Sequence, residues 1–327
     1  SLHVDQFCPP TPGQQDKKPF HIPLAVAMVG EGGMLSFDVF GASKLHETVL
    51  DVTDEKQTFV FENVTEKPIP SLLRGFSAPV KLQFDYSRDE LVVLMSRDND
   101  GFCRWDAAQQ LGVLILDEMV SAIQADKKPV MDERLIRAYE SILEDDQLDK
   151  AMVALILNLP TEAYLAEIND QVDVQAIHKA RQMARIEIAR ALETPLWQTY
   201  QSLSASQSYK ADAEQIAERS LRNTALSYLM LLEGEEVKRA CVKQYEQSNN
   251  MTDTLAAFNC LLASPFESEK EAVLADFYNQ WQDEALVVNQ WFMSQAMCSL
   301  PGTLSKVKLL MNHAAFDIRN PNKVRAL

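Results

Sequence analysis

The sequence predicts an α+β multidomain protein: a small all-β sandwich, then an all-α superhelical domain of stacked antiparallel helix pairs. Three observations carry this. The chain has 327 residues, 46% hydrophobic and 24% charged, which is enough for two cores and unlike a disordered chain. Its turn-formers are unevenly spread, with six of 10 Gly and eight of 14 Pro inside residues 1–98. The apolar spacing also changes from period two in the first part to steps of three and four in the second. The expected division is a β-sandwich domain over residues 1–98 and an α-helical, solenoid-like domain over 99–327.

In the first part, residues 22–29 and 34–39 flank Gly30-Glu31-Gly32-Gly33, where positive φ costs little, and read as a hairpin. Phe59 and Phe61 share one face of a strand. Val80-Lys81-Leu82-Gln83-Phe84-Asp85-Tyr86 alternates apolar and polar residues and reads as another strand. About seven strands in this space suggest a small sandwich. The second part opens on Asp98-Asn99-Asp100, which offers N-cap oxygens. Trp105, Ala108, Leu111, Ile115, Met119 and Ile123 then draw one apolar helical stripe, and Val174, Ile177, Ala184, Ile188 and Leu192 draw another that Pro195 ends or kinks. Further helical windows run from 130 to 314, in the manner of HEAT or armadillo arrays, although no repeat consensus fixes a period. Asn320-Pro321-Asn322 starts a last helix that stops at Leu327 without a C-cap, so the helical domain reads as incomplete and C-terminally truncated.

Composition limits the function classes. Asp and Glu number 47 against 31 Lys and Arg, a net charge of −16. Such a field repels phosphate backbones and anionic lipid, so nucleic acid and membranes are not expected partners. No stretch is apolar enough to span a bilayer, and no leader follows Ser1, so the chain reads as a piece of a longer polypeptide. Five cysteines without metal or disulfide spacing, the closest pair being Cys241 and Cys260, read as free thiols in a reducing cytoplasm.

Catalytic motifs are missing. A zinc hydrolase needs two imidazoles a helical turn apart. His3, His21, His46, His178 and His313 are scattered, and His46-Glu47-Thr48-Val49-Leu50 ends on a residue that cannot ligate a metal. There is no G-x-S-x-G elbow and no phosphate-binding glycine loop. Acidic runs such as Glu144-Asp145-Asp146 and Glu235-Glu236 read as solvated helix ends, and the tryptophans (105, 197, 281, 291) as core. The residues alone leave open a free-standing HEAT-like protein-interaction adaptor without enzymatic activity.

Several segments taken together nevertheless resemble a known family. They are Phe20-His21-Ile22-Pro23, Gln57 to Phe61, Pro70 to Leu82, Arg104 to Gln109, Arg222-Asn223, Asn249 to Asp253, Trp291 to Ala296, and Asn320 to Arg325. In this order they resemble the C-terminal half of bacterial aminopeptidase N, the zinc-dependent alanyl aminopeptidases of the gluzincin class, across essentially the whole chain. The resemblance implies a four-domain enzyme whose third domain and most of whose fourth lie here. Its zinc, its H-E-x-x-H glutamate base and its substrate-amine motif belong to the other half. This chain is therefore expected to bind no metal, to carry no catalytic residue and to be inactive alone. Its expected partners are the N-terminal and catalytic domains of the same polypeptide and short peptide substrates. The resemblance also implies that the helical domain encloses the active-site chamber and gates peptide access. The arginine ending N-P-N-[KR]-x-R, here Arg325, is implied to face the C-terminal side of a bound peptide.

Overall fold

The computed structural model describes residues 1–203 and 208–327. Eight short strands come first: β1 (Leu2–Asp5), β2 (Ile22–Gly30), β3 (Gly33–Leu35), β4 (Phe37–Val39), β5 (Ala42–Leu45), β6 (Glu47–Val52), β7 (Lys56–Phe59) and β8 (Ile69–Leu72). The helices follow: α1 (Arg88–Arg97), α2 (Gly101–Gln124), α3 (Glu133–Leu143), α4 (Lys150–Ile156), α5 (Glu162–Ile168), α6 (Val174–Ala191), α7 (Glu193–Ser202), α8 (Ala213–Leu229), α9 (Glu235–Gln247), α10 (Met251–Leu262), α11 (Glu267–Trp281), α12 (Ala285–Ala296), α13 (Thr303–Leu310) and α14 (Pro321–Ala326). The fold is thus a small sheet domain followed by a helical array, as the sequence predicts.

β2 organises the sheets. β8 pairs antiparallel with Val26–Val29, while β6 and β3 pair with Ile22–Ala27 and Met28–Gly30 in succession along the opposite edge. With both edges occupied and α1 packed against it, β2 is buried from Leu24 to Gly30, which its unbroken apolar run LAVAMVG permits. Leu24 and Val26 meet Leu50, Val52, Phe59 and Leu72 in the main β core. The two-residue loop Glu31-Gly32 closes β2 onto β3, and only Gly33 there takes a positive φ, +117°. β1 pairs with β7, and β4 with β5.

One expected strand is absent. Residues 80–86 form no ladder. The run is held by side chains instead: Tyr86 Oη donates to the Pro70 carbonyl at 2.7 Å, and Val80 packs on the β core. The helical part also begins earlier than Asp98. α1 starts at Ser87, whose side chain accepts from the Glu90 amide while the Glu90 carboxylate accepts from the Ser87 amide. Asp98 ends this helix, and Asp100 caps α2.

The chain forms two compact units, Ser1–Leu148 with Leu155–Ala184, and Asp149–Ala154 with Arg185–Leu327. In the first, the predicted stripe of α2 is realised, with Ala108, Leu111, Ile115 and Met119 buried. Gly112 lies on the same helix. A Cβ there would come within 2.7 Å of Pro160 Cδ, so α2 seats directly on the Leu159-Pro160 turn. That turn is pinned on both sides, by Gln109 donating to the Asn158 carbonyl and Arg181 to the Pro160 carbonyl, both at 2.8 Å. Asp132 caps α3 and also accepts from the guanidinium groups of Arg88 and Arg134, at 2.9 and 2.8 Å, which ties α1 to α3. In the second unit α8, α9 and α10 pack on one another, with Phe258 between Tyr245 and Phe277. Val174, expected in the α6 stripe, is exposed.

Candidate functional site

Arg325 lies on α14, whose first turn is set by Pro321 and by Asn320, which accepts from the Asn322 amide at 3.0 Å. The buried face of this short helix is Lys323 and Ala326, and Arg325 is exposed. Lys323 is the basic residue with a built environment. Its ammonium sits 5.4 Å from the centre of the Phe292 ring, and desolvation holds its pKa below the usual lysine range. Phe292 in turn belongs to an aromatic cluster with Tyr278, Trp291, His313 and Phe316.

A second polar centre lies between α8, α9 and α10. Asp253, 1% exposed, is held by hydrogen bonds from its own segment and from the neighbouring helices. Its carboxylate accepts from Asn223 Nδ2 at 2.8 Å, Asn250 Nδ2 at 3.0 Å and Arg222 Nη1 at 3.3 Å, and its amide donates to the capping oxygen of Asn250 at 2.9 Å. Gln244 Nε2 donates to Asn223 Oδ1 and to the Asp253 carbonyl, at 2.8 and 3.1 Å, which fixes the orientation of that amide. Two atoms of the centre have no partner among the described residues: Arg222 Nε and Gln244 Oε1. A buried polar group left unmet costs about 1–3 kcal/mol, so neither is a neutral feature of packing.

Two cavities flank this centre and share Ser248 and Asn249 in the α9–α10 turn. One, of about 370 Å³, is lined by Trp197, Tyr200, Arg222 and Gln244. The other, of about 630 Å³, is lined by Tyr245, Trp281 and the carboxylates of Glu246, Glu269 and Asp276. Tyr245 Oη donates to Asp276 at 2.8 Å, and burial together with that carboxylate pushes the phenol well above its usual range. Trp197 and Trp281 are thus half-buried cavity walls and not core; of the four tryptophans only Trp291 is buried. Sequence reasoning singles out Arg222-Asn223 and Asn249 to Asp253 without a role for them. It misses Gln244, whose amide is set by Asp253 and Asn223, 9 and 21 positions away, and so leaves no local signal.

The first unit holds a buried arginine too. Arg74 Nε donates to Glu47 at 2.9 Å, and Nη1 donates to Ser71 and Asp98 at 2.9 and 2.7 Å, while Nη2 reaches Asn99. The chain reaches this position through Leu73, Gly75 and Phe76, all with positive φ between 53° and 60°. Arg104 donates to the carbonyls of Met95, Ser96 and Asp98 and so clamps the α1–α2 turn. These two arginines give the segments Pro70 to Leu82 and Arg104 to Gln109 their structural meaning.

No group of three His, Cys, Asp or Glu side chains among the described residues could hold a metal. His21 pairs with Asp51, His178 with Glu162, and Leu50 of the His46 segment is fully buried in the β core. The residues present therefore do not fit a zinc ion. All five cysteines are free thiols. Among the described residues no helix is long and apolar enough to cross a membrane.

Comparison with known proteins gives these features a family. A model described as a domain of unknown function, DUF3458_C, with ARM repeats, matches residues 88–327, and one described as DUF3458 with an Ig-like fold matches residues 1–85. Aminopeptidase N of Escherichia coli (strain K12) is 34% identical over 327 residues, which is 100% of this chain and 37% of that protein. The chain belongs to this family and corresponds to the C-terminal part of aminopeptidase N. Aminopeptidase N of Haemophilus influenzae is 35% identical over the same span, again 37% of its length. The crystal structure of Legionella pneumophila aminopeptidase A in complex with aspartic acid superposes with a TM-score of 0.79 at 31% identity, covering 94% of this chain and 35% of that one. The chain thus spans a little over a third of the relatives it matches.

Proposed function

We propose that this chain is the non-catalytic portion of a zinc-dependent, cytoplasmic aminopeptidase that removes N-terminal residues from short peptides. The remainder of the polypeptide supplies the zinc and the groups that act on the scissile bond, and is the chain's first partner. Residues 1–85 and 88–327 act as a β-sandwich support and a helical wall that encloses the chamber and gates peptide entry. The observation that carries this reading is the match along the whole chain to aminopeptidase N, spanning both domains. An adaptor role would explain the ARM repeats alone but not the Ig-like domain and the relatives matched in one continuous span.

Within this reading Arg325 receives the C-terminal carboxylate of a peptide. Its guanidinium is exposed, always charged and able to offer two parallel N–H donors to a carboxylate. In the full-length enzyme, Arg325→Ala is expected to raise KM for tripeptides about tenfold, the loss of one charge-assisted contact, while leaving an alanyl-anilide, which has no carboxylate, unchanged. Equal effects on both substrates refute the carboxylate role. The wider reading is tested by producing this chain and the remainder of the polypeptide separately. Alanyl-anilide cleavage that requires both supports it, and full cleavage by the remainder alone, with unchanged peptide size selection, removes the gating role.

A further inference from the structure

Two thiols of the second unit meet across a helix pair. Cys241 on α9 is fully buried, and its Sγ donates to the Ala257 carbonyl of α10 at 3.4 Å. A helical side chain leans back over the carbonyls three and four positions before it, so Cys260 covers the same turn of α10. The two sulfurs accordingly lie within hydrogen-bonding reach of each other where α9 packs on α10. Cys260 is half-buried, and the Arg185 guanidinium of α6 stands close enough to act on its charge. That guanidinium is held by the Ser227 carbonyl, to which it donates at 3.4 Å, and by the Tyr228 ring, whose centre lies 5.5 Å away. The hydrogen bond from Cys241 first, and then Arg185, hold the Cys260 thiol below its usual range against the effect of burial. The same bond, and then burial, push the Cys241 thiol well above it. One thiol is therefore placed to ionise and the other to stay protonated beside it. Cys298 offers a comparison within the molecule. It too is half-buried, but its S–H is committed to the Leu262 carbonyl at 3.4 Å, and it bonds no second thiol among the described residues.

We propose that Cys241 and Cys260 are a peroxide-sensitive pair that closes a reversible disulfide between α9 and α10. The Cys260 thiolate attacks one oxygen of the peroxide: an S–O bond forms, the O–O bond breaks, and the departing hydroxide takes a proton from solvent. The Cys241 sulfur then attacks the sulfenic sulfur: the S–S bond forms, the S–O bond breaks, and the hydroxide that leaves carries off the Cys241 proton as water. The two thiols lose two electrons and the peroxide gains them. The loop so closed contains the α9–α10 turn with Gln244 and Asp253, so the bridge also fixes the centre those residues build. The pair does not depend on the aminopeptidase reading, and its test does not read peptide cleavage.

The test treats the folded, reduced full-length protein with hydrogen peroxide, blocks the remaining thiols with N-ethylmaleimide, and reads the digested peptides by mass spectrometry. A linked Cys241–Cys260 peptide that dithiothreitol separates is expected, with Cys260 losing its thiol about tenfold faster than Cys298. Cys241→Ser should leave Cys260 as a sulfenic acid that dimedone captures, and Cys260→Ser should leave Cys241 a thiol. The proposal fails if no linked peptide forms, if Cys260 reacts no faster than Cys298, or if Cys260→Ser leaves the oxidation of Cys241 unchanged. Should either variant lose its cooperative thermal transition, the linked peptide and the rate against Cys298, both read on the unaltered protein, decide alone.

Discussion

Each of the two units buries an arginine against an aspartate, and the two pairs are finished differently. Around Arg74 every nitrogen of the guanidinium has an acceptor, drawn from Glu47, Ser71, Asp98 and Asn99, while Asp98 Oδ2 has no partner among the described residues. Around Arg222 both carboxylate oxygens of Asp253 are met, yet the Arg222 Nε–H and the Gln244 carbonyl oxygen are buried without a partner among the described residues. The same residue types thus complete the guanidinium in one place and the carboxylate in the other. What separates them is which member of the pair is fully met, and not the presence of a buried charge.

That contrast can be broken by mutation. The largest effect is expected for Arg74→Ala, which strands Asp98, a residue whose side chain is fully buried and whose Oδ2 already has no partner among the described residues. Loss of one member of such a pair costs about 3–5 kcal/mol, read as a fall in the urea midpoint of the transition reported by Trp105. A fall below about 1 kcal/mol would mean that the network is not a fastening at all. Asp253→Ala comes next. It leaves Arg222 uncompensated and also frees Asn223 and Asn250, at an expected cost of about 3 kcal/mol to the second unit. A stability effect near zero would mean that the Arg222–Asp253 pair is not a fastening either.

A smaller effect sharpens the comparison through pH. Asp132 is mostly buried, and the hydrogen bonds from the Arg134 guanidinium, then from the Arg134 amide and from Arg88, hold its carboxyl well below the usual carboxylate range. Its folded pKa is depressed, so its contribution is fully present above the unfolded value near ~4 and is lost as pH falls below that. Asp132→Asn should therefore lower stability by about 2 kcal/mol at pH 7 and flatten the acid limb of the curve between about pH 4 and 2. An unchanged acid limb in the variant, measured by chemical denaturation, would assign that limb to other carboxylates.

Much of the fold is legible in the sequence where one element's own pattern decides its state. The α2 stripe, the hairpin at Gly33 and the Asn320 cap of α14 are of this kind. Val80 to Tyr86 misleads because alternation describes a strand's faces and says nothing about whether its backbone is paired, and here Tyr86 and Val80 are held through their side chains. α1 escapes notice although Ser87 and Glu90 form a reciprocal cap, because the alternating run ends directly against it and hides the change of period. The Asp253 centre is half legible: Arg222-Asn223 and Asn249 to Asp253 stand out as segments, but Gln244 acquires its meaning only when α8, α9 and α10 pack together.

Gly112 carries one last consequence. A glycine inside a helix normally weakens it by about 1 kcal/mol relative to alanine, so replacement by alanine would be the standard route to a sturdier protein. Here the methyl group would collide with a proline ring that two long side chains hold in place. The codon for residue 112 should accordingly admit a single amino acid when a randomised library is selected for soluble expression.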